Sequence, residues 1–312
     1  MTKTNDMNPV VIKNLKKSYE NIEAVNGVSF EVYPEEIFGL IGPDGAGKTT
    51  LMRILVSLID SDEGDVFFKG KSVKENVKFV RSKIGYMPQR FSLYPDLTVN
   101  ENLRFFGDLF KVPAEEQADR MRKLYEFSKL EPFRNRRADA LSGGMKQKLA
   151  LSSMLMHQPE VIVLDEPTFG VDPVSRSEFW DILKKLRDNG TSILVSTAYM
   201  DEAGLCDRVA LMFGGKILAQ GKPGQLLKNF EESLYLIETD RVYETFKKLE
   251  NLKIFSEFNL FGDGIHIVDN ENRGEQEIIH LLNKNSVDYK SVVSIEACLE
   301  DLFLKLIPES DD

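Results

Sequence analysis

The sequence contains one glycine-rich run with a lysine near its end, Gly42-Pro43-Asp44-Gly45-Ala46-Gly47-Lys48-Thr49-Thr50. An apolar run, Ile37 to Ile41, precedes it, and the spacing after it predicts a helix over Thr50 to Ile59. In the pattern G-x-x-x-x-G-K-[ST], glycines let backbone N–H groups turn toward phosphate oxygens. The lysine suits the outer phosphates, the Thr49 hydroxyl suits Mg²⁺, and the helix start favours the same anion. The run therefore predicts a nucleotide site in an α/β fold.

Two carboxylates, Asp165 and Glu166, follow a second apolar run, Val161 to Leu164. At a Mg²⁺-nucleotide site, one carboxylate holds the metal or its water, and the next polarises the attacking water. Taken alone, the pair would more simply solubilise the end of a strand. Together with a phosphate-binding loop, it predicts Asp165 as a metal ligand and Glu166 as the general base.

A second glycine-rich helix start is found at Leu141-Ser142-Gly143-Gly144-Met145. Ser142 can cap the helix, and the glycines leave backbone N–H groups bare, which makes a second anion site. One domain that binds one triphosphate needs only one such site, whereas two copies placed head to tail could each close the site of the other. The alternative is an ordinary capped helix, because Ser-Gly-Gly is common in turns.

The order of these motifs, together with Gln89 and Gly170-Val171-Asp172-Pro173, resembles the nucleotide-binding subunit of ABC transporters over about residues 9–225. The resemblance implies ATP and Mg²⁺ as cofactors. It implies that Tyr19, just before the first strand pair, stacks on adenine. It also implies that Gln89 contacts Mg²⁺ and water and joins Glu166 and Lys48 in catalysis. The remaining nucleotide contacts that it implies come from Gly42 to Thr50, Ser142, Gly143, Gly144 and Asp172.

The fold class that follows is a P-loop NTPase of the ABC ATPase type, with a parallel sheet core and an antiparallel β part. A helical subdomain is expected over about residues 91–141. Residues 226–312 predict a small C-terminal α+β extension with a strand at Ile254 to Phe258. The end of this extension, Leu299 to Leu304, resembles that of bacterial exporter ATPases with separate permeases, although an amphipathic helix on its own sheet gives the same pattern. The early strands are predicted at Val10 to Leu15 and Val28 to Val32.

Composition excludes several classes of protein. The chain has 312 residues, which is about two domains at roughly 150 residues each. With 40 Lys and Arg against 50 Asp and Glu, the net charge of −10 argues against a nucleic-acid partner, which would demand a basic face. Only two cysteines occur, which fits a reducing cytosol. The polar start predicts no export signal, and no apolar run approaches the roughly 18 residues that span a bilayer. We expect a cytoplasmic protein that is peripheral on the inner face of the cell membrane.

Two positions depart from the family pattern. Asp44 stands where the family usually has Asn, which places a carboxylate near phosphates, and we expect it to point away from them. Ala198 stands where the family usually has a histidine that contacts the γ-phosphate, so we expect a slow site. The three histidines of the chain lie away from this position, and we expect them to be surface or packing residues: His157, His266 and His280.

The sequence thus predicts the ATP-binding and hydrolysing subunit of a membrane exporter. Its expected partners are a second ABC ATPase domain and integral membrane permease subunits, and closure of two domains on ATP would move the permease. The permease surface is expected on the helical insert, where one or two of five aromatic residues would face the partner: Phe91, Tyr94, Phe105, Phe106 and Phe110.

Three other classes of protein are alternatives to this prediction. A soluble ABC ATPase of translation or DNA repair would usually carry tandem domains, a coiled-coil insert or basic patches. A GTPase needs Asn-Lys-x-Asp, and Asn283-Lys284-Asn285-Ser286 fails at the last position. A slow or non-hydrolysing regulatory subunit, paired with an active ATPase, is favoured by Ala198 and opposed by Glu166. Homodimer and heterodimer are both open.

Overall fold

The computed structural model describes residues 8–90, 93–262 and 264–308, so the predicted permease contact Phe91 lies outside the described residues. The chain folds into two compact units, one of residues 8–223 with 306–308 and one of residues 224–305. The first unit holds two sheets, and the second holds one.

The strands of the first unit are β1 (Val10–Tyr19), β2 (Ile22–Val32), β3 (Ile37–Ile41), β4 (Glu63–Phe68), β5 (Lys71–Ser72), β6 (Ile84–Met87), β7 (Val161–Asp165), β8 (Ser192–Thr197), β9 (Arg208–Phe213) and β10 (Lys216–Gly221). A six-stranded sheet has the order β10-β9-β3-β8-β7-β6, and only its β9–β10 pair is antiparallel. A second, antiparallel sheet has the order β2-β1-β4-β5. β3 and β7 are buried along their whole length, as parallel strands covered on both faces are. The predicted parallel core and antiparallel part are confirmed.

The helices of the first unit are α1 (Lys48–Leu55), α2 (Val77–Lys83), α3 (Val99–Leu109), α4 (Ala114–Ser128), α5 (Gly143–Leu155), α6 (Pro173–Asp188) and α7 (Met200–Ala203), and α8 (Pro223–Leu227) follows at the boundary in sequence. Short 3₁₀ turns at Glu131–Phe133 and Ala138–Ala140 lie between α4 and α5. Within the described ranges, no helix has both the length and the apolar character needed to cross a membrane.

A buried asparagine of the helical insert holds the segment that leads into α3. Asn102 of α3 is fully buried, and its side chain accepts the Tyr94 N–H and donates to the Tyr94 carbonyl, both at 3.0 Å. Thr98 and Glu101 cap the start of α3 reciprocally, which satisfies two N–H groups that the helix leaves open. The segment between β6 and α3 is therefore held by defined contacts from residue 94 onward.

The second unit has strands and helices in the order β11 (Ser233–Glu238), α9 (Val242–Leu252), β12 (Phe258–Phe261), β13 (Gly264–Asp269), α10 (Gly274–Lys284), β14 (Ser291–Ile295) and α11 (Leu299–Leu306). The sheet order β12-β13-β11-β14 is antiparallel throughout, which is the split βαβ arrangement. Ile237, Ile265 and Ile267 are fully buried in a core that includes Leu249 of α9 and Ile278 of α10. Both helices therefore pack on the same face of the sheet.

Several predicted boundaries were wrong. The strand expected at Ile254 to Phe258 begins only at Phe258, as β12, and residues 254–257 are irregular, because Lys253 takes a left-handed φ of 51° that ends α9 and Phe255 packs into the core. The helix expected over Thr50 to Ile59 begins at Lys48 and ends at Leu55, with Ser57 at a φ of 60°. β1 and β2 extend beyond the predicted strands, so Tyr19 is the last residue of β1 and does not precede the strand pair.

Candidate functional site

The glycine-rich run forms the turn between β3 and α1. Gly45 and Gly47 have φ values of 80° and 102°, in the left-handed region that favours glycine. A Cβ on Gly47 would lie 2.0 Å from the Ala24 carbonyl oxygen, and a Cβ on Gly42 would lie 2.1 Å from that of Met212. The loop is therefore pressed against the backbone of β2 and β9. Gly47 has no side chain to cap α1, so the first N–H groups of this helix are available to an anion.

A cavity of about 410 Å³ opens at this turn. Its lining brings together residues from three strand ends and the loop: Tyr19, Ala24, Asp44, Gly45, Ala46, Gly47, Lys48, Thr49, Thr50, Gln89 and Glu166. Tyr19 ends β1, Gln89 follows β6, and Glu166 follows β7. Asp44 is exposed at the tip of the loop and lines the same cavity. Most of the predicted nucleotide contacts thus share one site.

A buried ion pair joins the loop to the end of β7. The Lys48 ammonium donates to the Gly42 carbonyl at 2.7 Å and to the Pro43 carbonyl at 2.9 Å, and it lies 3.1 Å from Glu166 Oε1. Glu166 Oε2 accepts the Gln89 amide at 2.8 Å. Glu166 takes a left-handed φ of 47°, a strained conformation for a residue with a side chain. The positive charge of Lys48 and the negative charge of Glu166 therefore compensate each other in the wall of the cavity.

The two carboxylate oxygens of Asp165 have different surroundings. Its Oδ1 accepts the Thr49 hydroxyl at 3.1 Å and the Ser196 hydroxyl at 2.8 Å. Its Oδ2 is buried and has no hydrogen-bond partner within the described part of the chain. Burial and the negative charge of Asp165 raise the pKa of Tyr86 to about 12, so this phenol is neutral at physiological pH. A carboxylate oxygen without a partner beside a hydroxyl is an arrangement that suits a hard cation.

Ser196, the residue before the end of β8, is a site residue that was not predicted from the sequence. Its fully buried hydroxyl donates to Asp165 Oδ1 and accepts the Glu166 N–H at 3.0 Å, so it supports both carboxylates. A signal was available in the sequence. A serine near the end of an apolar strand meets the end of a neighbouring parallel strand, because parallel strands end at the same edge of a sheet.

The second glycine-rich helix start lies beside α6. Ser142 caps α5 by accepting the Met145 N–H at 3.3 Å, and Asp172 caps α6 by accepting the Ser175 N–H at 2.9 Å. This bond from Ser175 lowers the pKa of Asp172. A Cβ on Gly144 would lie 2.4 Å from that of Ser175, so the two helix starts approach closely. The residues that line the cavity, in the part of the chain that is described, do not include Ser142, Gly143, Gly144 or Asp172.

Known proteins share both this sequence and this fold. The chain matches the family described as ABC transporter over residues 25–169. Nod factor export ATP-binding protein I of Burkholderia lata is 40% identical over 222 residues, which cover 71% of this chain and 73% of that protein. The chain belongs to the ABC transporter ATP-binding family. YbhF of Escherichia coli K12, a probable multidrug ABC transporter ATP-binding protein, is 43% identical over 230 residues, which are 73% of this chain and 40% of YbhF. The chain thus spans about two fifths of that relative.

The ABC ATPase fold is confirmed by solved structures. An ATP-binding cassette bound to ADP and Pi, in a dimeric post-hydrolysis state, has a TM-score of 0.62 and 28% identity, covering 68% of this chain and 98% of that chain. The match covers most of the cassette but only part of this chain.

Ala198 lies in the bend after β8. The Thr197 hydroxyl accepts the Tyr199 N–H at 3.0 Å, and the Tyr199 ring lies 4.0 Å from the Arg176 guanidinium. Both flanking side chains have other contacts, and Ala198 offers only a methyl group.

The histidines of the chain have packing or surface positions. His157 stacks on Phe110 with ring centroids 4.0 Å apart, and burial lowers its pKa. His266 Nδ1 lies 2.7 Å from Asp301 Oδ1, and His280 is exposed on α10.

We expect Ser196→Ala to lower the free energy of unfolding by about 1–3 kcal/mol, because the change leaves buried polar partners of its hydroxyl without a bond. Urea denaturation measures this loss. Ser82→Ala is the matched control, since the exposed Ser82 hydroxyl makes a local bond to the Phe79 carbonyl, and its effect should stay within about 0.5 kcal/mol. Equal losses in the two variants would contradict a supporting role for Ser196.

Proposed function

We propose that this chain is the ATP-binding and hydrolysing subunit of an ABC membrane exporter. One observation carries the proposal: Glu166 lines the cavity of the phosphate-binding loop and lies 3.1 Å from its lysine, Lys48. A general base must lie within reach of the water that attacks the γ-phosphate, and a carboxylate beside the phosphate-binding lysine meets this requirement. The names of the relatives, a probable multidrug transporter and a Nod factor exporter, support export as the process.

Mg²⁺ would be held by Thr49 and Asp165, with Gln89 as a further ligand. The fit is supported by the buried Asp165 Oδ2, which has no hydrogen-bond partner in the described ranges, and by the Thr49 hydroxyl 3.1 Å from Oδ1. When bound, the ion neutralises charge that develops on the transferred phosphoryl group. Ser196 would keep the Asp165 carboxylate in place.

An exchange of partners at Lys48 would prepare the base. The ammonium contacts Glu166, and the outer phosphates of ATP would compete for the same ammonium. Once Lys48 turns to the phosphates, the Glu166 carboxylate retains the Gln89 amide and can accept a proton from water. ATP binding itself would therefore release the base that hydrolysis needs.

A second ABC ATPase domain would complete each site. The α5 start at Ser142 to Gly144 is suited to an anion, yet the described lining of the cavity does not include it. Two copies placed head to tail would bring each α5 start to the phosphates that the other copy holds. The dimeric state of the solved cassette supports this arrangement. A homodimer and a heterodimer would meet the requirement equally.

Integral membrane permease subunits would dock in an apolar groove of about 280 Å³. The groove is lined by residues that include Leu58, Tyr86, Met87, Phe106, Phe110 and His157. Two of them, Phe106 and Phe110, belong to the predicted aromatic set, whereas Tyr94 and Phe105 pack edge to face with centroids 4.5 Å apart. An amphipathic helix suits such a groove. Because Met87 lies two residues before Gln89, a helix docked here would contact the segment that leads to the nucleotide site. A chain that binds permease subunits in this way would lie on the inner face of the cell membrane.

Glu166→Gln should keep ATP binding and lower turnover by at least about 10²-fold, the usual share of base catalysis. Steady-state ATPase and ATP affinity are measured for both forms. Glu160→Gln is the matched control, because it makes the same change just before β7, where Glu160 pairs with Lys83 at 2.9 Å. Unchanged turnover in Glu166→Gln would remove Glu166 from the mechanism.

Ser142→Arg should abolish ATP-dependent dimerisation and leave ATP binding by the monomer nearly intact. The long cation would fill the space where the neighbouring copy presents its phosphates. Light scattering in the Glu166→Gln background decides this, with Ser82→Arg as the surface control. Loss of ATP binding by the monomer would show that α5 closes its own site and would contradict the head-to-tail arrangement.

Ala198→His should raise the ATPase rate at least tenfold, because one preorganised donor at the developing charge is typically worth about 3 kcal/mol, on the order of a hundredfold. The rate is measured for the chain alone and with its partners. Ala114→His, at the exposed start of α4, controls for an added histidine. If the unaltered chain already hydrolyses several ATP molecules per second and Ala198→His leaves that rate unchanged, another group supplies the donor.

A further inference from the structure

The end of β1 is irregular where it reaches the cavity. Tyr19, its last residue, is 45% exposed and lines the cavity beside the phosphate-binding loop. The pairing of β1 with β2 shifts register between Leu15 and Lys17 and again between Lys17 and Ser18. After these shifts the ladder resumes only for Ser18 and Tyr19, which pair with Glu23 and Ile22. Because this last pairing is so short, other contacts contribute to where the Tyr19 ring lies.

Asp62 supplies those contacts from the segment just before β4. Its Oδ2 accepts the Ser18 N–H at 2.7 Å, and its Oδ1 accepts the Lys17 ammonium at 2.7 Å. Its own N–H donates to the Lys16 carbonyl at 2.9 Å. One residue thus bonds three consecutive residues of the irregular strand end. The hydrogen bond from Lys17 lowers the pKa of Asp62, so the pair stays charged at neutral pH.

The Lys17 ammonium that Asp62 holds lies over the Tyr19 ring, 5.7 Å from the ring centroid. A cation over one face of an aromatic ring is attracted to it and restricts its rotation. The opposite face of the ring is then the one that a flat, apolar group can cover. Asp62 therefore acts on Tyr19 twice, through the backbone of Ser18 and through the side chain of Lys17.

We propose that Asp62 is a positioning residue that holds Tyr19 as a stacking platform for the purine base of the nucleotide. This inference rests on the proposed function, since it assigns a support for the base end of the same site. A platform that is already in place spares the binding reaction the ordering of a mobile side chain. Asp62 should therefore contribute to the part of the affinity that depends on the base and not to the part that depends on the phosphates.

The test compares ATP with inorganic tripolyphosphate, which carries the phosphates without ribose or base. Calorimetry with Mg²⁺ measures the affinity of each. Asp62→Ala should weaken ATP binding about threefold to tenfold and leave tripolyphosphate binding unchanged. Asp62→Asn keeps an acceptor for Ser18 but loses the charge that holds Lys17, so its effect should be intermediate. Glu63→Ala is the matched control, because Glu63 pairs with Lys16 at 2.8 Å and the change removes one carboxylate from the adjacent residue.

A second comparison shows whether Asp62 acts through Tyr19. In a Tyr19→Ala background, Asp62→Ala should have no further effect on ATP affinity, because the platform is already gone. Equal losses for ATP and tripolyphosphate, or additive losses in the double variant, would overturn the inference. If Asp62→Ala lacks a cooperative unfolding transition, Asp62→Asn carries both comparisons. Failure of the unaltered chain to bind ATP would instead overturn the proposed function, whereas ATP binding that is insensitive to Asp62 would overturn only this inference.

Discussion

A buried positive charge at Lys48 constrains the rest of the first unit. The ammonium belongs to a residue that is only 3% exposed, and an unpaired ammonium there would be destabilising by several kcal/mol. Two of its acceptors, the carbonyls of Gly42 and Pro43, come from the loop itself. The third, Glu166, arrives from β7, which lies two strands away from β3 in the sheet. The charge can therefore be accommodated only when β3 and β7 are parallel and end at the same edge.

That common edge explains why residues far apart in sequence form one site. β6, β7 and β8 run in the same direction, so Gln89, Asp165 and Ser196 all lie at or just after the carboxyl ends of adjacent strands. The two carboxylates at the end of β7, those of Asp165 and Glu166, then point in different directions because the backbone turns between them. Asp165 ends the strand and contacts Ser196, whereas the left-handed turn at Glu166 directs its carboxylate to Lys48.

Short stretches of sequence were sufficient to predict those elements whose ends depend only on neighbouring residues. β3 is an apolar run that is followed by a glycine, and its observed limits, Ile37 and Ile41, are those of the run in the sequence. β12 was misplaced because the apolar residues around Phe255 belong to a connection that packs into the core without pairing. Ser196 has a local signal, since it lies near the end of an apolar strand, but its bonds to Asp165 and Glu166 depend on which strands are neighbours, and strand order is a property of the whole sheet.

A single donor at the position of Ala198 would contribute a small part of the catalytic free energy in comparison with the rest of the site. Enzymes lower activation barriers by about 8–23 kcal/mol, and one preorganised donor contributes about 3 kcal/mol of this. The other groups that we assign to phosphoryl transfer lie together: the loop lysine, the paired Glu166 and the Asp165 carboxylate, whose buried Oδ2 has no hydrogen-bond partner among the described residues. Burying an ionised glutamate carries a desolvation penalty that a purely structural or regulatory position would avoid by using an apolar residue. The presence of Glu166 in this cavity therefore favours a subunit that hydrolyses ATP over one that only binds it.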